Sequence, residues 1–173
     1  MNRTKRMTAV QRTALLGLLC ALAVALSFLE GLLPVLPVPG AKLGLSNIVT
    51  MYTLSVMGLP AALAVAAVKG LFALLRGGTA CLMSLAGGLL STLLMAAVLP
   101  LSGRLLSFVG VGVVGAVGHN AGQLVMAMLL MDPSLLYYIP WLLLMALLAG
   151  LLTGMVLNVV MPALTRITAR LQL

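Results

Sequence analysis

The sequence predicts an all-α, polytopic membrane protein: a compact bundle of six transmembrane helices with both termini in the cytoplasm. Composition, long apolar segments and the placement of the cations lead to this prediction. Of the 173 residues, 63% are hydrophobic and 7% are charged, whereas a typical soluble domain is about 25% charged. Such a chain cannot cover a globular surface with polar groups. Intrinsic disorder is excluded as well, because disordered segments have low hydrophobicity.

The net charge of +8 also needs an explanation. A nucleic-acid-binding protein would place its cations on one face, often among aromatic side chains. Here the basic residues are scattered, and the chain has three Phe, three Tyr and one Trp. We therefore expect no nucleic-acid partner, and a lipid bilayer as the environment of the chain.

Six apolar segments approach the roughly 20 residues that a spanning helix needs. Proline and glycine separate them, because these residues end helices or begin new ones. The breaks are Pro34 to Gly40, Gly58-Leu59-Pro60, Gly77-Gly78, Pro100 and Asp132-Pro133-Ser134. The predicted spans, which make one transmembrane domain over residues 1–173, are 13–33, 44–58, 60–76, 79–99, 107–131 and 138–161. Spans 44–58 and 60–76 are short, and form either a tilted pair or a re-entrant hairpin.

The cations predict the orientation, because cytoplasmic loops carry an excess of Lys and Arg. Seven of them fall in the two tails and in the 100–106 loop, which an even number of spans places on one side: Arg3, Lys5, Arg6, Arg12, Arg104, Arg166 and Arg170. We expect that side to be cytoplasmic, in a multi-pass protein of the cell membrane. A cleaved signal peptide ending near Ala23-Val24-Ala25 is the weaker alternative, because the apolar run continues to Leu33.

Polar side chains at membrane depth are candidate functional residues, because burying them in a bilayer is costly. In the fifth span, His119 and Gln123 are four residues apart and share a helix face. The full set of predicted substrate-binding residues is Glu30, Lys42, Asn47, Lys69, Arg76, His119, Asn120 and Gln123. If the helices surround one cavity, its outer half is net positive and suits a small anionic or carbonyl-rich ligand that arrives from outside.

Structural alternatives exist for several of these residues. Lys42 and Arg76 are also placed to extend their charged ends to the membrane surface. Lys69 is too deep for that, and either lines a pocket or forms a buried pair with Glu30. His119 and its polar neighbours are also suited to hydrogen bonds between helices.

Small residues form two stripes at helical spacing. Gly17, Ala21 and Ala25 follow one face of the first span, and the fifth span carries the second stripe. The second stripe is Gly115, Gly118 and Gly122. Such stripes let helices approach closely, so each is either a packing surface inside the bundle or a docking face for another membrane subunit.

Catalytic motifs are missing from the sequence. It has no phosphate-binding loop, so the chain cannot hydrolyse ATP. Its two acidic residues, Glu30 and Asp132, cannot form the carboxylate cluster that holds Mg²⁺ on a diphosphate. No set of Cys and His residues has the spacing of a metal site. We expect neither an enzyme nor a bound metal or cofactor.

Three motifs in order resemble those of the Gx transporter family, often described as component I of heptaprenyl diphosphate synthase. They are Pro39 to Ile48 (PGAKLGLSNI), Ser84 to Leu89 (SLAGGL) and Gly115 to Gln123 (GAVGHNAGQ). The likeness extends from the first span to the sixth. The family is similar to the substrate-binding S components of energy-coupling factor (ECF) transporters.

This resemblance implies an S component-like protein with a pocket that faces outward. In such systems a transmembrane T component and two ATPase subunits supply the energy. S components commonly dock through small residues of the first span, here Gly17, Ala21 and Ala25. The leading hypothesis is therefore the substrate-binding subunit of an ECF-type importer. The alternatives are a non-catalytic accessory of polyprenyl diphosphate or quinone synthesis, and a structural membrane subunit of an electron-transfer assembly.

Overall fold

A computed structural model describes residues 8–32, 44–102 and 107–170 of the chain, with side chains described as far as residue 160. Helices dominate these ranges, and five of them are long and apolar enough to cross a membrane. The six α-helices are α1 (Ala9–Leu32), α2 (Leu45–Met57), α3 (Leu59–Phe72), α4 (Gly78–Val98), α5 (Phe108–Leu130) and α6 (Ile139–Arg170). Short 3-10 segments follow α3 and α4 and precede α6. The predicted all-α membrane bundle is confirmed.

Successive helices run antiparallel. The guanidinium of Arg12, near the start of α1, donates a hydrogen bond of 3.3 Å to the carbonyl of Met57 at the end of α2. Lys69, near the end of α3, reaches back to Asn47 at the start of α2. These contacts define two ends of the bundle, which we name the Arg12 end and the Glu30 end, after the residues that α1 places there.

Helix α2 is the shortest and most enclosed of the six. Its 13 residues correspond to about 20 Å of helix, less than the roughly 30 Å of hydrocarbon in a bilayer. Nine of the 13 side chains are buried among the other helices. The helix runs from the Glu30 end to the point that Arg12 contacts.

The turn between α2 and α3 depends on a glycine. Gly58 has φ 86°, in the region that L side chains rarely adopt. Its N–H donates to the carbonyl of Leu54 and ends α2, and Pro60 lies in the first turn of α3, where its fixed φ is compatible with a helix. The chain therefore reverses direction without an intervening loop.

Glycines bring α4, α5 and α6 into close contact. A Cβ atom on Gly122 of α5 would lie 2.7 Å from the backbone oxygen of Ala86 in α4. On Gly115 it would lie 2.6 Å from the sulfur of Met95, and on Gly112 it would lie 2.8 Å from the oxygen of Gly150 in α6. The stripe of small residues on α5 is therefore a packing surface inside the bundle, and the docking alternative for this stripe is wrong.

The sixth helix continues beyond its predicted end at residue 161. It extends over 32 residues to Arg170, about 48 Å of helix. The first and last residues of the five other helices lie within four residues of the predicted bounds, if the 3-10 turns that continue α3 and α4 are counted with these helices.

Candidate functional site

Four polar residues from three helices meet at the Glu30 end of the bundle. Glu30 comes from α1, Ser46 and Asn47 from the first turn of α2, and Lys69 from the last turn of α3. All four are at least nine-tenths buried, with exposed fractions of 3 to 7%. We call these residues the Glu30 cluster.

The Glu30 carboxylate caps α2 from the neighbouring helix. One oxygen accepts a hydrogen bond from the N–H of Leu45, and the other accepts one of 3.1 Å from the hydroxyl of Ser46. Gly44, which precedes α2, offers no side chain for capping. A carboxylate satisfies the free N–H groups at a helix start and interacts favourably with the helix dipole there.

Lys69 completes the Glu30 cluster with a positive charge. Its ammonium donates a hydrogen bond of 2.8 Å to the side-chain oxygen of Asn47 and one of 3.3 Å to the hydroxyl of Ser46. The Ser46 hydroxyl therefore links the Glu30 carboxylate to the Lys69 ammonium, because it donates a hydrogen bond to Glu30 and accepts one from Lys69. The last turn of a helix also stabilises a cation. The two alternatives for Lys69 were that it lines a pocket or pairs with Glu30. In the structure it lines a polar pocket, and it is linked to Glu30 through the hydroxyl of Ser46.

Further polar residues enclose the Glu30 cluster. The pocket around it is also lined by Gly44 and by side chains from α1, α4 and α5, namely Ser27, Ser84 and His119. The space between these side chains is too small to admit a water molecule. A ligand at this site would therefore have to displace contacts that the side chains make with one another.

Three predicted site residues lie elsewhere. Arg76 is exposed, and its guanidinium lies 2.9 Å from the position of a Cβ on Gly31, beyond the Glu30 cluster. The amide of Asn120 donates 3.1 Å to the carbonyl of Leu142 and joins α5 to α6. Gln123 is buried against Gly87 of α4. Lys42 lies outside the described residues.

The predicted excess of positive charge rested on three cations, of which Lys69 lines the pocket and Lys42 is not described. Among the described residues that line the pocket, Glu30 and Lys69 carry one formal charge of each sign. Arg76 does not line it. Arg76 follows Lys69 by two helical turns, which brings it past the buried region to the exposed end of α3, as its surface alternative predicts.

Sequence reasoning missed the serines. Ser27 precedes Glu30 by three residues and so shares its face of α1. Ser46 and Ser84 lie within two of the motifs that carry the family resemblance, but a single hydroxyl in an apolar segment is a weak signal. Proximity to an ionisable residue on the same helix face would have identified Ser27.

The small residues of α1 have different surroundings from those of α5. Gly17, Ala21 and Ala25 are all exposed, and a Cβ on Gly17 would meet nothing within 4 Å. No other helix of the described bundle covers this stripe. It remains available for lipid or for another membrane subunit.

Metal binding finds no support in the described ranges, where His, Cys, Asp and Glu do not gather in groups of three or more.

Most of the chain, residues 19–160, matches the family model described as heptaprenyl diphosphate synthase component I. No significant match is found among curated proteins or among solved structures. The matched description is that of a component of a synthase. Because the match runs from within α1 to within α6 and includes most of the chain, the chain belongs to the heptaprenyl diphosphate synthase component I family.

Proposed function

We propose that the chain is a substrate-binding membrane subunit, similar to the S components of ECF transporters, that takes up a small polar ligand from outside the cell. The observation that carries this proposal is the Glu30 cluster. Burying charged side chains inside a membrane bundle costs free energy, and such side chains commonly mark the path of a substrate or ion.

The position of the Glu30 cluster supports a binding role. It lies at the end of the bundle that the Lys/Arg distribution predicts to face outward, opposite Arg12. Its side chains come from several helices and converge on one pocket. A small shift between helices would therefore change every contact to a ligand, as uptake and release require.

The α1 stripe supports a role within a larger complex. Gly17, Ala21 and Ala25 are exposed along one face, and small residues allow a second helix to approach closely in a bilayer. We infer that a transmembrane T component docks there, with two ATPase subunits bound on the cytoplasmic side. Since the chain carries no ATP-binding motif, such partners would supply the energy for uptake.

Purification under mild conditions tests this proposal. Native mass spectrometry of the protein from its own membrane should reveal a T component, the two ATPases and a small bound molecule. The Lys69→Ala and His119→Ala variants should lose the small molecule, whereas Val159→Ala, on an exposed part of α6, should retain it. Unchanged ligand affinity in both pocket variants would contradict the assignment of the site.

The family description supports a second candidate function. Membership in the heptaprenyl diphosphate synthase component I family favours an accessory that assists polyprenyl diphosphate synthesis without catalysing it. Deletion of the gene would then shorten or deplete the isoprenoid tail of the quinones, with no defect in uptake. Normal quinone tails together with lost uptake would support the importer instead.

A further inference from the structure

The formal charges of the described residues that line the pocket of the Glu30 cluster balance. Among these residues, Glu30 contributes a carboxylate and Lys69 an ammonium group. Both contact the hydroxyl oxygen of Ser46. The chain has two acidic residues in all, and the other, Asp132, is fully exposed near the end of α5. Glu30 is therefore the acidic side chain that balances Lys69.

This balance restricts the charge of a ligand. A lone anion beside Lys69 would give the pocket two negative charges and one positive charge. The effective cost of burying an uncompensated ion is several kcal/mol, even after the protein relaxes. A lone cation beside Glu30 meets the same penalty with the opposite sign. A ligand with one charge of each sign keeps the pocket neutral.

The existing hydrogen bonds show which groups a ligand would replace. Lys69 donates to the side-chain oxygens of Asn47 and Ser46, positions that a ligand carboxylate can take as acceptor. Glu30 accepts from the hydroxyl of Ser46 and the N–H of Leu45, and a ligand ammonium can donate in place of the hydroxyl. Because both charged groups contact the same hydroxyl oxygen, the two charges of the ligand must lie only a few bonds apart.

We propose that the Glu30 cluster binds a small zwitterion of the amino-acid type, its carboxylate held by Lys69 and its ammonium held by Glu30. This assignment rests on the proposed binding function and specifies the class of ligand. The rest of the lining supports it, since the remaining residues are small or hydrogen-bonding: Ser27, Gly44, Ser46, Asn47, Ser84 and His119. No Phe, Tyr or Trp among them offers a flat surface for a ring system.

Matched sets of compounds test the assignment on the full chain in nanodiscs. The probes are the twenty protein amino acids and β-alanine, each beside the acid that lacks its amino group and the amine that lacks its carboxylate. For alanine, these partners are propionate and ethylamine. Dissociation constants come from calorimetry, and thermal unfolding provides a second readout. At least one zwitterion should bind about tenfold or more tightly than either partner, because each partner lacks one charge-assisted hydrogen bond.

Charge variants separate recognition from a purely structural role. In Glu30→Gln the pocket becomes net positive, so the preference should shift from the zwitterion to the acid. In Lys69→Gln it should shift to the amine. The double variant Glu30→Gln/Lys69→Gln removes both charges and should fold, because a neutral pair has no uncompensated ion. It should lose the preference for zwitterions altogether.

Several outcomes would overturn the assignment. Acids or amines that bind the unchanged protein as tightly as the zwitterions exclude this ligand class. The same conclusion follows if no zwitterion binds, or if Glu30→Gln and Lys69→Gln retain the original preference. The broader binding function fails separately, when native mass spectrometry finds no bound small molecule and no energising subunits.

Discussion

The two halves of the bundle are held together by different means. Between α4, α5 and α6, backbones meet at glycines, and a Cβ on Gly122 would lie 2.7 Å from a backbone oxygen. Between α1, α2 and α3, apolar side chains such as Ala23, Met51 and Val65 form the core. At the Glu30 end of these helices, charged and polar side chains meet in hydrogen bonds of 2.8 to 3.3 Å around Ser46 and Lys69. Backbone contacts cannot be exchanged for others, whereas a ligand can replace a side-chain hydrogen bond. This difference suits a rigid half formed by α4, α5 and α6, beside a half formed by α1, α2 and α3 whose hydrogen bonds can change when a ligand binds.

Removing one charge of the Glu30 cluster should have the largest effect on stability. Lys69→Met removes the cation that balances buried Glu30 among the described residues of the pocket, and breaking a buried pair in this way costs about 3–5 kcal/mol. Glu30→Gln/Lys69→Met should recover most of that loss, because no uncompensated charge remains. Reversible unfolding in mixed detergent micelles measures the free energies of both variants. A double variant as unstable as Lys69→Met alone would contradict this electrostatic account.

Adding a methyl group between α5 and α6 should come next. Gly112→Ala places a Cβ 2.8 Å from the carbonyl oxygen of Gly150 and 3.0 Å from the backbone nitrogen of Gly154. Overpacking of this kind costs about 1–3 kcal/mol. The matched control is Gly17→Ala, where nothing lies within 4 Å, and the same unfolding measurement should show no loss. Equal stability of the two variants would mean that the glycine contacts do not limit packing.

The hydrogen bond between Asn120 and Leu142 should contribute less. Asn120→Ala removes the donor to a buried carbonyl of α6, and hydrogen bonds between membrane helices contribute about 0.6 kcal/mol on average. We expect a small fall in unfolding free energy and no change in ligand affinity, because Asn120 does not line the pocket. If a folded Asn120→Ala protein lost ligand binding, Asn120 would belong to the ligand-binding site after all.

The smallest effect should come from Asp132, outside both regions. Its carboxylate accepts a hydrogen bond of 2.6 Å from the N–H of Ser134, and hydrogen bonding to Ser134 lowers the pKa of Asp132 from its ordinary value of 3.8. The stabilisation is therefore present above that pH and disappears as the pH falls through the lowered pKa. Asp132→Asn should flatten this slight pH dependence of the unfolding temperature, and an unaltered profile would contradict it.

Sequence patterns predicted the helices and the buried polar residues well, because both depend on local composition. Glu30, Asn47 and Lys69 were identified since ionisable or amide groups are rare in apolar segments. The distribution of charge around them was not predicted. Whether Arg76 shares the depth of Lys69 depends on where α3 ends, and whether Asn120 turns towards the pocket or towards Leu142 depends on the position of α6.

Glycine stripes show a related limit of sequence patterns. The stripes on α1 and α5 have the same residue types at similar spacing, yet Gly17 is exposed and Gly115 is buried against Met95. Helical periodicity identifies a smooth face but carries no information about what covers it. Only the packing order of the helices separated the internal stripe from the exposed one.

The shortness of α2 also brings the two ends of the bundle that it connects close together. Its 13 residues cover about 20 Å, so the start of α2 at the Glu30 cluster and its end at the Arg12 contact are separated by less than the roughly 30 Å of hydrocarbon in a bilayer. Under the proposed binding function, a ligand beside Ser46 would therefore lie about 20 Å from the Arg12 contact at the opposite end of this helix.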